Sequence, residues 1–90
     1  MVAREVVIAN RLGIHARPAT LLVKAAANFE ADIFLSKGNI RRINGKSIMG
    51  VMMLAAEQGA TVLVEAEGSD EEEAAAAVAG LLASSFEEAA

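Results

Sequence analysis

Cysteine is absent from this chain, which excludes a disulfide framework and any thiolate metal site. Histidine occurs once, at His15, and no carboxylates cluster near it in sequence, so neither a metal centre nor another cofactor is expected. Aromatic residues make up only 3% of the chain and proline occurs once. The core must therefore come from Leu, Ile, Val and Met with Phe29, Phe34 and Phe86, packed closely over alanine-rich helix faces. No run approaches the ~18 uncharged apolar residues of a membrane span. Met1 to Val7 shows neither the basic start nor the long apolar stretch of a secretory signal. These absences point to a cytoplasmic protein without membrane contact. Ninety residues make one small domain, residues 1–90, and Met1 points to a free chain.

What is present is unevenly charged. The formal net charge is −4, and acid gathers toward the C-terminus at Glu65, Glu67, Asp70, Glu71, Glu72, Glu73, Glu87 and Glu88. That field opposes binding to nucleic acid. The basic residues lie elsewhere, at Arg4, Arg11, Arg17, Lys24, Lys37, Arg41, Arg42 and Lys46, and most read as solvated surface. Arg17 is set apart by its neighbours.

Patterning along the chain gives the order β-α-β-β-α-β-α. The β-branched run Glu5–Ala9 predicts a first strand, and Asn10 to Gly13 a turn. A helix is expected from Ala16, because Pro18 suits a first turn where its missing N–H would have no partner anyway. Ala19, Leu22, Val23 and Ala26 recur at helical spacing, and Asn28 ends the helix. Ala31–Ser36 and Ile40–Ile43 read as a hairpin turning at Lys37-Gly38-Asn39, followed by the turn pair Asn44-Gly45. Lys46–Leu54 reads as a short helix opened by Ser47 as N-cap. Ala60–Glu67 is the clearest strand, and Ser69 with Glu72 forms a capping box for a last helix buried through Val78, Leu81 and Leu82. The expected fold is α+β, an open-faced β-sandwich: a four-stranded antiparallel sheet with three helices on one face. A ferredoxin-like variant is the competing topology.

His15 falls where the first strand hands over to the first helix. Helix N-termini carry unpaired N–H donors and the positive end of the dipole, a ready site for phosphate. The local sequence supplies no nucleophile and orienting acid for a triad, so the imidazole itself is left as the nucleophile. The helix terminus and Arg17 disfavour a cationic ring and favour an anionic product. The N–H groups of Ala16 and Arg17 can hold that product, and the Arg17 guanidinium can meet phosphate oxygens in fork geometry. Gly13 leaves the approach uncrowded.

The run Leu12-Gly13-Ile14-His15-Ala16-Arg17-Pro18-Ala19 resembles the active-site motif of HPr, the histidine-containing phosphocarrier family of the bacterial sugar phosphotransferase system. Lys46-Ser47-Ile48-Met49-Gly50-Val51-Met52 resembles that family's second motif, around its regulatory serine. The resemblance covers essentially the whole chain. It implies that His15 accepts a phosphoryl group on Nδ1 from enzyme I, itself charged by phosphoenolpyruvate, and passes it to IIA domains of sugar permeases. Arg17 matches the family's active-site arginine. Many relatives carry Asn or Ser where this chain has Leu12, so a polar contact from that position is missing, with Asn10 or Arg11 as the neighbours able to replace it.

Ser47 is expected to cap its helix whatever else it does. The resemblance adds phosphorylation there by an HPr kinase/phosphorylase, with a catabolite-control transcription factor reading the product. A phosphate at a helix N-terminus is electrostatically favoured, so the fold should survive it. Ile48, Met49, Met52 and Met53 cannot all point inward at helical spacing, and those left outside form an adaptable apolar surface. The family docks partners with this helix and the start of the first one, which here implicates Thr20, Leu21, Ile48, Met49 and Met52. The expectation is thus a monomeric carrier rather than an enzyme. A regulatory paralogue of the nitrogen-branch type and a non-catalytic α+β binding module are the alternatives.

Overall fold

The computed structural model describes residues 1–11 and 13–84; Leu12 and residues 85–90, Phe86 among them, lie outside the described residues. The elements are β1 (Val2–Val7), α1 (Ala16–Ala26), β2 (Asp32–Lys37), β3 (Ile40–Asn44), α2 (Ile48–Met53), β4 (Thr61–Glu67) and α3 (Glu71–Ala83). The strands form one sheet in the order β1-β4-β2-β3, and every neighbouring pair is antiparallel. A ferredoxin-like split β-α-β unit would insert β3 between β1 and β2; here β4 lies between them and β1 and β3 are the edges, so that alternative is excluded.

Strict alternation in β4 explains why the sheet has a wet and a dry face. Val62, Val64 and Ala66 are fully buried, while Leu63 and Glu65 between them are half-buried on the other side. On the dry face these residues join Ile33 and Leu35 of β2. α1 covers them with Ala19, Leu22 and Ala26, α2 with Val51, and α3 with Ala74, Ala75, Val78 and Leu82. Burying each Val or Leu contributes about 1.5–3 kcal/mol. The small side chains let the helices approach the sheet closely, which a core poor in aromatics requires.

Three local expectations are corrected. β1 runs from Val2 to Val7 rather than over Glu5–Ala9, because its pairing with β4 extends from Val7 opposite Thr61 to Val2 opposite Ala66. Beyond it, Ile8 N–H donates to Ala60 O at 2.9 Å, and Ala9 N–H turns away to Leu82 O of α3 at 3.3 Å. Phe34 is not a core residue. It lies half-buried on the open face beneath Arg42, whose guanidinium sits 4.1 Å from the ring centroid and pairs with Glu65 at 3.1 Å. Finally, Asp70 and not Ser69 occupies the N-cap position of α3, without a side-chain capping bond, so no Ser69–Glu72 box forms. The Asp70 carboxylate accepts the N–H groups of Glu30 and Ala31, both at 2.9 Å. These donors at the entry to β2 claim Asp70 for a tertiary contact, and Glu71 Oε1 reaches back to Gly68 N–H at 3.1 Å.

Among the described residues, no helix is long and apolar enough to cross a membrane.

Candidate functional site

The loop between β1 and α1 is fixed from beneath. Asn10 is fully buried; its Nδ2 donates to Gly13 O, and Gly13 N–H donates back to Asn10 O at 2.9 Å. Ile14 N–H donates to Ala56 O at 2.8 Å, Gly59 N–H to Ile8 O at 2.9 Å, and Gln58 Nε2 to Ala9 O at 3.3 Å. Two loops distant in sequence are thereby laced together. Gly13 sits at φ +70°, and a Cβ there would lie 2.5 Å from Ala56 O and 2.9 Å from Glu57 Cα. Only glycine satisfies both the left-handed backbone and the close approach.

On this base the burial alternates with purpose. Ile14, Pro18 and Ala19 point into the protein and anchor the turn, whereas His15, Ala16 and Arg17 are exposed. His15 is the N-cap of α1, with φ −118° and ψ −165°. Its carbonyl accepts Ala19 N–H at 2.9 Å, but its side chain makes no capping hydrogen bond. His15 therefore leaves its imidazole uncommitted at a helix end whose first N–H groups, those of Ala16 and Arg17, have no intrahelical acceptor. Pro18 contributes no donor. α1 carries no acid in its first turn, and no carboxylate pairs with Arg17 among the described residues. Thr20 Oγ1 donates to Ala16 O at 2.9 Å, bracing that first turn. Of the neighbours considered as substitutes for a polar residue 12, Asn10 works within the loop on Gly13, while Arg11 is exposed. Leu12 itself lies outside the described residues.

Ser47 is placed as the spacing predicts. Its Oγ accepts Gly50 N–H at 3.1 Å and its carbonyl accepts Val51 N–H at 2.9 Å. Gly50 costs about 1 kcal/mol in a helix interior relative to alanine. The structure gives its reason, because a Cβ there would meet Ile43 Cγ2 at 2.9 Å and Ser47 Oγ at 3.3 Å. Glycine is what lets α2 lie against β3 and keep its cap. Val51 and Leu54 are buried beneath α2; Ile48, Met49, Met52 and Met53 are exposed, as is Leu21 of α1, and Thr20 is half-buried. The expected docking residues thus come from two helices that pack on each other.

The family described as "PTS HPr component phosphorylation site" matches residues 2–84 of the chain. The chain belongs to the HPr family. It is 47% identical over 88 residues to the phosphocarrier protein HPr of Cupriavidus necator, an alignment covering 98% of both sequences. Its fold matches the crystal structure of HPr-C-His from Thermoanaerobacter tengcongensis with a TM-score of 0.87 and 43% identity over 96% of each chain. An HPr dimer from the same organism matches with a TM-score of 0.72 and 46% identity, covering 88% of this chain and 90% of that one.

HPr proteins are phosphocarriers of the phosphotransferase system, and the chain takes that role with the family's open-faced sandwich. What sequence reasoning missed in this HPr is the brace beneath the site. Asn10, Ala56 and Gln58 hold the loop, and only the glycine at position 13 hinted at a close backbone contact.

Proposed function

We propose that His15 is the phosphoryl acceptor of this carrier, charged by phospho-enzyme I at the expense of phosphoenolpyruvate and discharged to IIA domains of sugar permeases. The observation that carries the reading is an exposed His15 at the N-cap of α1, its side chain free of any capping bond, next to a helix end whose first N–H groups lack an intrahelical acceptor. In the forward step a neutral ring nitrogen, Nδ1, attacks phosphorus as the donor's P–N bond breaks in line with it. Negative charge on the transferred group is met by the two N–H groups, the helix dipole and the Arg17 guanidinium. The same groups stabilise the phosphorylated ring without sealing it from a second partner, so the phosphate can leave as it arrived.

Thr20, Leu21, Ile48, Met49 and Met52 form the docking face in this reading, an apolar surface beside the histidine that several dissimilar partners can share. Ser47, at the edge of that face, is the regulatory site for an HPr kinase/phosphorylase. Its phosphate would add about two negative charges next to apolar side chains without unfolding α2, and a catabolite-control transcription factor is the reader of that form. The protein acts in the cytoplasm as one domain spanning residues 1–90. We read it as a monomer, with β1 paired along one edge to β4 of the same chain. Light scattering behind size exclusion tests that assignment.

The deciding experiment incubates the chain with enzyme I and phosphoenolpyruvate. An acid-labile, base-stable phosphate mapping to His15 is expected, together with its loss in His15→Ala at unchanged melting temperature. A phosphate that forms on the alanine variant overturns the assignment.

A further inference from the structure

The chain contains no cysteine, tryptophan or tyrosine, so its four methionine thioethers are its most readily oxidised side chains. None of the four is in the core. Met1 is 66% exposed, Met49 76%, Met52 42% and Met53 66%. A methionine in a small domain poor in aromatics would ordinarily be used as core filler. Here the interior is built from Leu, Ile, Val and Ala instead, and three of the four thioethers sit on the six residues of α2.

We propose that Met49, Met52 and Met53 are an oxidation site for hydroperoxides, and that their conversion to sulfoxides switches off partner docking while leaving the fold intact. The proposal rests on the reading of α2 as docking face. In the step itself a sulfur lone pair attacks the distal oxygen of the hydroperoxide. An S–O bond forms and the O–O bond breaks; the proton moves to the departing oxygen, which leaves as water or an alcohol. Sulfur loses two electrons and the peroxide gains them. A dithiol reductant reverses the change, giving thioether, water and a disulfide.

Position decides the consequence. Val51 and Leu54, which hold α2 to the core, carry no sulfur and are fully buried, so oxidation adds nothing polar where the helix packs. Ser47 keeps its cap on Gly50, and α2 keeps its place against β3 through Gly50. The new S=O dipoles instead stand on the surface that a partner would have to desolvate. Burying such a group without a hydrogen bond is unfavourable, enough to weaken docking by about tenfold or more. His15 and its N–H groups are untouched, so the loss should fall on encounter with the partner and leave transfer within the complex unaltered.

The test uses the whole chain treated with hydrogen peroxide, with added oxygens assigned by peptide mass mapping. Oxygens are expected on Met49, Met52 and Met53, with circular dichroism and the urea midpoint unchanged. KM for acceptance from phospho-enzyme I should rise about tenfold, with little change in kcat and recovery after methionine sulfoxide reductases A and B with dithiothreitol. The triple variant Met49→Leu/Met52→Leu/Met53→Leu, compared with its own untreated rate, should be insensitive to the same exposure. Full oxidation at the three positions with an unchanged KM overturns the proposal, as does an equal loss in the leucine variant or a loss that accompanies unfolding. An untreated chain that takes no phosphate overturns the docking reading and this inference with it.

Discussion

Arg17 and Gly13 flank His15 and serve it by different physics, so replacing them should leave different signatures. Arg17 is exposed, pairs with no carboxylate among the described residues and packs nothing into the core. In the proposed role its contribution is charge-assisted contact with the transferred group, worth about 1.5–3 kcal/mol. Arg17→Ala should therefore slow transfer from phospho-enzyme I by about 10- to 100-fold while the melting temperature stays put. Quench-flow rates at saturating donor check this, and a loss confined to KM would assign Arg17 to docking instead. Gly13→Ala should do the reverse. Its Cβ would press on Ala56 O at 2.5 Å in a backbone conformation that alanine adopts reluctantly, so the brace must open. A destabilisation of about 1–3 kcal/mol is expected, read as a lower urea midpoint, and any loss of transfer should follow from the displaced loop.

α2 shows what local sequence can and cannot specify about an element. Its start was legible in Ser47 because a cap is made three residues away, by Oγ accepting Gly50 N–H. That some methionines lie outside was legible because no helix of this spacing can bury them all; that none of them joins the core, contrary to the expectation from composition, was not. The reason for Gly50 was not, since the contact that demands it comes from Ile43 on β3. The same distinction separates His15, singled out from consecutive residues, from Asn10 and Ala56, whose partnership is set only when two remote loops meet. β1 was placed too late for an equivalent reason: the pairing of Val2 with Ala66 belongs to β4 and not to any pattern in residues 1–9. Two substitutions at Ser47 separate its roles. Ser47→Ala removes the cap and should cost about 1 kcal/mol, with transfer nearly unchanged. Ser47→Asp keeps an acceptor at the cap but sets a negative charge beside the proposed docking face, so stability should hold while KM for acceptance from phospho-enzyme I rises. Equal kinetics in the two variants would count against regulation by charge at this position.

At the scale of the molecule, the far end of α1 is tied down by a junction that no motif announced. Asp70, at the start of α3, holds the N–H groups of Glu30 and Ala31, while Lys46 Nζ donates to Phe29 O at 2.7 Å. One carboxylate thus links α3 to the entry of β2 across roughly forty residues of chain. The Glu30 N–H bond, helped by the Ala31 N–H and the nearby Lys46 charge, holds the Asp70 carboxyl below the ordinary carboxylate range. Glu71 is shifted the same way, by Gly68 N–H and by the N-terminal amine 3.1 Å from its carboxylate. A carboxyl whose folded pKa is depressed stabilises the fold above its unfolded pKa, about 4. It loses that contribution as pH falls through the lower folded value. Asp70→Asn should accordingly lower the urea midpoint at neutral pH, since the amide keeps one acceptor but turns its NH2 toward a backbone N–H. The deficit should shrink from about pH 4 downward and close once the wild-type carboxylate is protonated in both states. A residual acid sensitivity should remain in the variant, because Glu71 is still there. Urea midpoints measured across this range for both proteins check the claim: curves that stay parallel to the lowest pH would mean that Asp70 acts through shape and not through its charge.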